Sequence, residues 1–481
     1  MELIFARSKQ GKPGLSLPCK DVKVTCSIDD KYKRNKDAEL PEVSEPEVVR
    51  HFTNLSKLNF SIDSNFYPLG SCSMKYNPKF TEKIANFDGF TSLHPLAPQL
   101  VMGGMLSQGA LEVISNLEGL LREITGMDAF TSQPMAGAHG ELTGVMLIAA
   151  YHRQKGAKKK YVLIPDSGHG TNPASAAIAG YEVKTVLSDK NGIMDIDEFK
   201  KMLNNEVAGV MLTCPNTVGI FNPSIKEISD LAHKAGALMY YDGANLNAIL
   251  GKVRPGDLGF DIVHLNLHKT FATPHGGGGP GSGPVGVKKE LIPFLPVSRV
   301  VKRKDGTFAL DYEQELSIGY ISPFYGNFLV MLKAYAYIVL LGKQGLIDAS
   351  ENAVLNANYV KTKLKEYYDI PFDKGCLHEF VLSVSKQAEK GVHAFDIAKA
   401  LIDKGIHPPT VYFPLIVKEA MMIEPTETES KETLDNFINV MIELAELADN
   451  SPEEFKNFPK NAPVQRLDEV KAVKEMDLCS L

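Results

Sequence analysis

The 481-residue sequence has no Cys-x-x-Cys pair: Cys19, Cys26, Cys72, Cys214, Cys376 and Cys479 stand at wide, irregular spacings. That excludes a zinc knuckle or a disulfide framework and fits a reducing compartment. No basic stripe is present either. Lys plus Arg is 52 against 58 Asp plus Glu, and a net charge of −6 argues against a nucleic-acid partner. No apolar run reads as long enough to span a membrane, because Lys333 interrupts the longest candidate, and Met1–Arg7 turns polar too quickly for a secretory signal. Internal repeats and low-complexity segments are missing as well. The expectation is a soluble, cytoplasmic protein with no membrane partner. Core material, by contrast, is plentiful: 44% of residues are hydrophobic, sufficient for two or three compact units.

Three textures divide the chain. Residues 1–90 are rich in Lys, Pro, Asn and Ser and lack long periodic segments, which predicts an extended arm. Within it, Phe66–Pro78 is a turn-dense block with aromatics and a lysine, either a loop packed on the body or a contributor to a site across an interface. Residues 91–325 alternate short apolar runs with helical stretches. Strands are predicted at Asp128–Thr131, Tyr161–Ile164, Glu182–Leu187, Gly209–Thr213, Leu238–Tyr241, Ile262–Leu267 and Val285–Val287, and helices at Glu141–Arg153, Ile196–Leu203 and Lys226–Lys234. Strand and helix in turn imply an α/β fold with a mostly parallel, seven-stranded sheet covered on both faces. Residues 326–481 predict a smaller α+β domain: helix over 331–369, a strand at Glu379–Val384, a helix at Phe395–Lys404, short strands near Val411–Val417 and a final helix over 431–448.

Four features fall at predicted strand ends, where open α/β sheets keep their ligands. Ala136, Gly137 and Ala138 open a helix, and small residues there expose N–H groups at the positive end of the dipole, a seat for a phosphate or simply a tight turn. His169, between glycines, can lay a flat ring over a flat cofactor or merely cap backbone. Asp242 can pair with a protonated pyridine nitrogen or cap the helix that follows, and Asn245 lies within reach of the same ring's phenolic oxygen. Lys269 follows Asp242 by 27 residues and precedes a glycine-rich loop, Gly276–Gly283. Singly each signal is weak; in this order they describe a pyridoxal 5'-phosphate (PLP) site of the fold-type I transferases. With the phosphate seat placed upstream, the glycine loop is expected to allow close backbone approach near the pocket mouth or a subunit boundary.

Further motifs run nearly end to end: Pro68-Leu-Gly-Ser-Cys72, Ala138-His-Gly-Glu141, His169-Gly-Thr-Asn-Pro-Ala-Ser175, Asp242-Gly-Ala-Asn245, Leu265-Asn-Leu-His-Lys-Thr270, Pro409-Thr-Val-Tyr-Phe-Pro-Leu-Ile416 and Glu424-Pro-Thr-Glu427. With these the chain resembles the P-protein family of the glycine cleavage system, glycine dehydrogenase (decarboxylating), in its PLP-bearing second-subunit form. The resemblance implies that Lys269 carries the cofactor covalently, that His169 and Asp242 take the ring-stacking and pyridine-pairing positions, and that glycine loses its carboxylate. It implies transfer of the aminomethyl group to the lipoyl arm of H protein, and a partner subunit 1, in an α2β2 assembly. His139 or His268 can move protons, since imidazole titrates near neutrality. Between Asn327 and Gln465 no arginine occurs, so the bidentate carboxylate clamp of aminotransferases has no small-domain source, which favours decarboxylation over transamination. Other fold-type I activities and a regulatory subunit with a vestigial site are the competing readings. Cys72 reads as a packed small residue.

Overall fold

The structure is a computed structural model and describes all residues except 1, 24–27, 37, 95–96, 98–102, 276–280, 323–324 and 478–481. The chain separates into two units, Met1–Ser64 and Asn65–Leu481. The first is not wholly extended. It contains helix α1 (Glu45–Ser56), where Glu47 reaches back to accept the Ser44 backbone N–H at 2.8 Å. Ser44, Pro46 and Glu47 are a helix-start signature that outweighs the polar texture of the segment.

In the second unit, helix α2 (Lys79–Ala85) and helix α3 (Gln108–Thr125) lead into the large sheet. Its strands are β1 (Ala129–Thr131), β2 (Tyr161–Pro165), β3 (Glu182–Val186), β4 (Val207–Thr213), β5 (Leu238–Gly243), β6 (Ile262–Leu265) and β7 (Val285–Val287), in the order β1-β7-β6-β5-β4-β2-β3. β7 runs antiparallel to both neighbours and the remaining pairs are parallel. All seven predicted strands are present. The central strands are apolar throughout because helices cover both faces: Val207–Leu212 and Leu238–Asp242 are buried without a break. Those helices include α4 (Gly137–Gln154), α5 (Thr171–Ile178), α6 (Ile196–Met202) and α7 (Ile225–Lys234). Helix α4 begins four residues before its predicted start, so the small-residue turn is its first turn.

The strand expected over Ile262–Leu267 stops at Leu265, and His268 and Lys269 ride instead on a one-turn helix, α8 (Leu267–Thr270). Asn266 makes that turn, its carbonyl accepting the amides of Lys269 and Thr270 at 3.0 and 3.2 Å. A hairpin, β8 (Arg299–Lys302) with β9 (Phe308–Asp311), lies beyond the sheet.

Helix α9 (Phe328–Leu364) is long and apolar enough to cross a membrane by composition, which corrects the expectation that no run qualifies. Its apolar residues have another use: Val330, Met331, Ala334, Tyr337 and Ile338 join the core under the sheet, and Gly342 at φ 59° interrupts the helix. The C-terminal α+β region has a three-stranded antiparallel sheet, β10 (Phe380–Ser383), β12 (Ala420–Ile423) and β11 (Thr410–Val411), with helices α10 (Ala394–Asp403) and α11 (Lys431–Asn450) packed on it. Strand structure was expected to Val417. It ends at Val411 because Tyr412 takes φ 57° and Pro414 has no N–H to pair, and the central strand forms at Ala420–Ile423 instead.

Candidate active site

Four strand ends converge on one pocket of about 190 Å³. From the large sheet come Gly137 and Ala138 of α4, His169 and Thr171 after β2, Asp242 and Asn245 at the end of β5, and His268 and Lys269 of α8. Parallel strands put their carboxyl ends on one edge, and the loops there bring together residues far apart in sequence.

Asp242 is 2% exposed and does not cap a helix. Its Oδ1 accepts the Ala244 amide at 3.1 Å and its Oδ2 the Asn172 side-chain amide at 3.1 Å. Burial alone would raise its pKa, but His264, the Ala244 N–H, His169 and Lys269 outweigh it and hold the carboxyl below its ordinary range. His264, fully buried beneath, places Nε2 3.4 Å from Asp242 Oδ1 and shares a 2.6 Å bond with the Tyr240 hydroxyl; burial keeps its pKa low. A fixed carboxylate therefore faces the pocket.

At the start of α4, Ala136 is extended and the Gly140 amide closes the first turn on its carbonyl at 2.9 Å. The amides of Gly137, Ala138 and His139 then have no acceptor within the helix, and this 18-residue helix aims its positive end at the pocket. A Cβ on Gly137 would stand 2.7 Å from Asn266 Oδ1. Glycine is what lets the amides come this close.

Lys269 Nζ donates to the Ser71 carbonyl at 2.7 Å. His169 holds Thr171 Oγ1 at 2.8 Å through Nδ1 and packs edge-on to Phe413; burial lowers its pKa. Asn245 lines the pocket but its Nδ2 is committed to Glu379 Oε1 at 3.0 Å, while its Oδ1 is buried without a partner. The two proton-carrier candidates separate. His268 lines the pocket and is pushed down to about 3, by burial first and then by His275 and Lys269, so its imidazole is neutral. His139 is absent from the lining and serves the backbone: Nδ1 accepts the Met135 amide at 3.3 Å, and a bond to the Ile321 backbone opposes the lowering of its pKa by burial.

Sequence reasoning gave no role to several residues here. Glu141, 4% exposed, lines the pocket and accepts the Thr171 hydroxyl at 2.6 Å; burial and then Asp242 push it up to about 8. The Phe66–Pro78 block packs on the body and also builds the site. Leu69 bridges Ile423, Gly70 donates to the Met422 carbonyl at 3.2 Å, and Ser71 reaches the pocket. Ser71 donates to Glu379 Oε2 at 2.7 Å, Ser73 to Glu424 Oε2 at 3.0 Å, and Lys75 Nζ to Glu427 at 2.7 Å and the Thr270 carbonyl at 2.8 Å. The Pro68–Cys72 and Glu424–Glu427 motifs carried the signal, without its meaning. Cys72 is a half-buried free thiol whose pKa is raised by burial. Of the glycine loop, residues 276–280 lie outside the described residues; Gly283 lies against the start of α4, where a Cβ would stand 2.0 Å from the Ala136 carbonyl oxygen.

A family model described as glycine cleavage system P-protein matches residues 21–310, and one described as glycine dehydrogenase, C-terminal domain, matches residues 349–464. A probable glycine dehydrogenase (decarboxylating) subunit 2 of Caldanaerobacter subterraneus is 57% identical over 98% of this chain and 97% of its own length. A protein of Listeria innocua with the same description is 56% identical over 99% of this chain and 97% of its own length. Among solved structures, an inhibitor-bound glycine decarboxylase (P-protein) of the glycine cleavage system superposes with a TM-score of 0.72 at 21% identity, over 86% of this chain and 92% of that one. A glutamate decarboxylase of Lactobacillus brevis reaches a TM-score of 0.68 at 12% identity, over 88% and 97%, which shows the shared fold alone. On the family models and full-length relatives, this chain belongs to the glycine cleavage system P-protein family, glycine dehydrogenase (decarboxylating), in its subunit 2 form.

Proposed function

We propose that this chain is the PLP-bearing subunit of decarboxylating glycine dehydrogenase, removing the carboxylate of glycine and passing the aminomethyl group to the lipoyl arm of H protein. One observation carries the reading: an amine, a buried carboxylate, a ring and a helix N-terminus line one pocket of about 190 Å³. The pocket fits PLP by its chemistry. Asn245 Oδ1 and Thr213 Oγ1 are pocket-lining residues' buried atoms without partners, and the start of α4 is closed to any side chain larger than glycine at position 137. When bound, PLP supplies an electron sink for the pair left by the departing carboxylate.

The chain's own residues do the rest. Lys269 would hold the cofactor covalently, and Gly137 and Ala138 would seat its phosphate; Ala136, extended just before the helix, lies outside the lining. Asp242, anionic and fixed by Asn172 and the Ala244 amide, would hold a proton on the pyridine nitrogen. His169 would cover the ring face, and Asn245 keeps one unpartnered oxygen for it. His268 lines the pocket wall but, held at about 3, stays an unprotonated, weakly basic imidazole whose Nδ1 accepts the Ser282 amide, so the near-neutral titration expected of it is lost; His139 lies outside the lining, and neither is assigned the proton transfer. Glu141, pushed up to about 8, keeps its proton at neutral pH and avoids a second negative charge beside Asp242. The lining includes no arginine among the described residues, consistent with a carboxylate that must leave.

We propose that residues 91–325 carry the chemistry, that 326–481 closes the pocket through Glu379 and Glu424, and that 1–90 links the two through Phe66–Pro78. The assembly is with subunit 1, as α2β2, in the cytoplasm. The test is exchange of the glycine carboxyl with labelled CO2 by the chain mixed with subunit 1 and lipoylated H protein. Exchange that depends on glycine and is lost in Lys269→Ala supports the reading; a reconstituted complex that turns over larger amino acids and ignores glycine overturns it.

A further inference from the structure

Beneath the Phe66–Pro78 strap lies a cluster that the proposed chemistry does not use. His378, Glu379 and Glu424 are each 0% exposed, and one ligand atom from each lies within 4.8 Å of the others. His378 Nε2 is 3.8 Å from Glu379 Oε1 and 4.0 Å from Glu424 Oε1, too far to hydrogen-bond, and neither of its ring nitrogens has a partner. No lysine or arginine forms an ion pair with either carboxylate among the described residues. Lys75 is spent on Glu427, and Lys269 donates to Ser71. Two buried carboxylates this close cannot both stay ionised without a compensating charge.

That charge is a proton or a cation, and the geometry offers the proton one place: the Ser73 hydroxyl, which can accept as well as donate, lies against Glu424 Oε1. Five donors already point at the four carboxylate oxygens: Asn245 Nδ2 and the Ser71 amide at Glu379, and the Ser73 amide, the Ser73 hydroxyl and Asn247 Nδ2 at Glu424. The amide donors favour the ionised form of the oxygens they reach, which confines the shared proton to the Ser73 side of Glu424, and the two bonds at Glu424 Oε1 leave that oxygen no lone pair for a metal. Burial raises both carboxyls, each with the other or Lys269 among the groups it senses.

The cluster also has a line of action. Glu379 grips the Ser71 amide, and the carbonyl of the same residue receives Lys269 Nζ; Ser71 and Ser73 both sit in the left-handed region, at φ 67° and 46°, held there by the two carboxylates. We propose that the His378–Glu379–Glu424 cluster stores one proton, presents a single negative charge, and through Ser71 positions the amine of Lys269. Glu379 and Glu424 are thus positioning residues for the reaction proposed above, on which the inference rests for its purpose but not for its test.

The charged and titratable groups facing the cluster are Lys269, Lys75, Glu427 and Cys72. The test reads Lys269 without any turnover: the full chain, stripped of cofactor, is treated with acetic anhydride at fixed neutral pH, and acetylation of Lys269 is quantified by peptide mass spectrometry. With one stored proton, Glu424→Gln replaces a neutral acid by a neutral amide, and the Lys269 rate stays as in the unaltered chain. The double variant Glu379→Gln, Glu424→Gln removes the remaining charge behind the Ser71 contact of Lys269 and raises the rate about three- to tenfold. A single variant that already produces half the rise of the double shows two ionised carboxylates and overturns the proposal. No change in either overturns it too, and a rate that responds to a chelator points to a cation in place of the proton. Infrared spectra guard against misfolded variants: in a chain carrying Glu118→Gln and Glu141→Gln, which removes the other buried carboxyls pushed up to about 7 and about 8, a protonated carboxyl stretch is expected to remain, and its complete loss refutes the stored proton. Failure of glycine exchange with this result intact would count against the proposed activity alone.

Discussion

Two walls face Lys269, and they are built by different rules. On the sheet side, Asp242, His169, His268 and the α4 start follow four strands that run in one direction, β5, β2, β6 and β1. Each is positioned by local chain geometry. On the strap side, Ser71, Ser73 and Lys75 are held by Glu379, Glu424 and Glu427, partners more than 300 residues away in sequence. The sheet wall supplies reactive groups, whereas the strap wall supplies hydrogen bonds and backbone shape. Changes on the first should therefore remove activity and spare folding, and changes on the second should weaken folding.

The sharpest form of that contrast is Lys269→Ala, expected to lower CO2 exchange by roughly 10⁴- to 10⁶-fold while the unfolding midpoint in urea stays put. Next is Asp242→Asn, which keeps the shape and removes the anion; a loss of about 10²- to 10³-fold in exchange is expected, with cofactor still bound by absorbance. On the strap side, Lys75→Met strands Glu427 without its partner in a buried setting, the side chains being 2% and 9% exposed. A loss of about 3–5 kcal/mol in denaturant unfolding is expected. Gly70→Ala puts a Cβ 2.3 Å from Met422 Cγ and 2.6 Å from its carbonyl oxygen. About 1–3 kcal/mol should be lost, read by the same unfolding curves. If either strap variant kept full stability but lost activity, the division between the walls would fail.

The smallest effect concerns pH. Glu141 sits at about 8 in the folded chain against an ordinary 4.5. The folded state thus keeps a proton that the unfolded state releases, and stability must fall as pH rises from about 4.5 to 8. Melting temperature in Glu141→Gln, measured across that window, should decline less steeply with pH than in the unaltered chain.

This contrast also decides what could be read from the residues. The sheet wall was legible because apolar runs mark buried parallel strands and ligands collect at their ends; Lys269, Asp242, His169, Gly137 and Ala138 meet in one pocket as expected. Helix α1 and the strand at Ala420–Ile423 were not legible. A capping signature hidden in polar sequence formed the first, and a positive φ at Tyr412 displaced the second. Glu379 gave no local signal, and Glu424 stood only in a motif whose meaning the sequence did not supply. Their meaning lies in what they touch, and Ser71 and Ser73 are too distant in sequence for any periodicity to connect them.

The strap's bond from Lys75 to Glu427 spans 352 residues. At the usual pace of synthesis, roughly 5–20 residues per second, Lys75 leaves the ribosome about 20–70 s before its partner exists. The strap wall of the pocket is therefore completed late in the making of each copy, timed by the last strand of the small sheet and not by the sheet wall that precedes it.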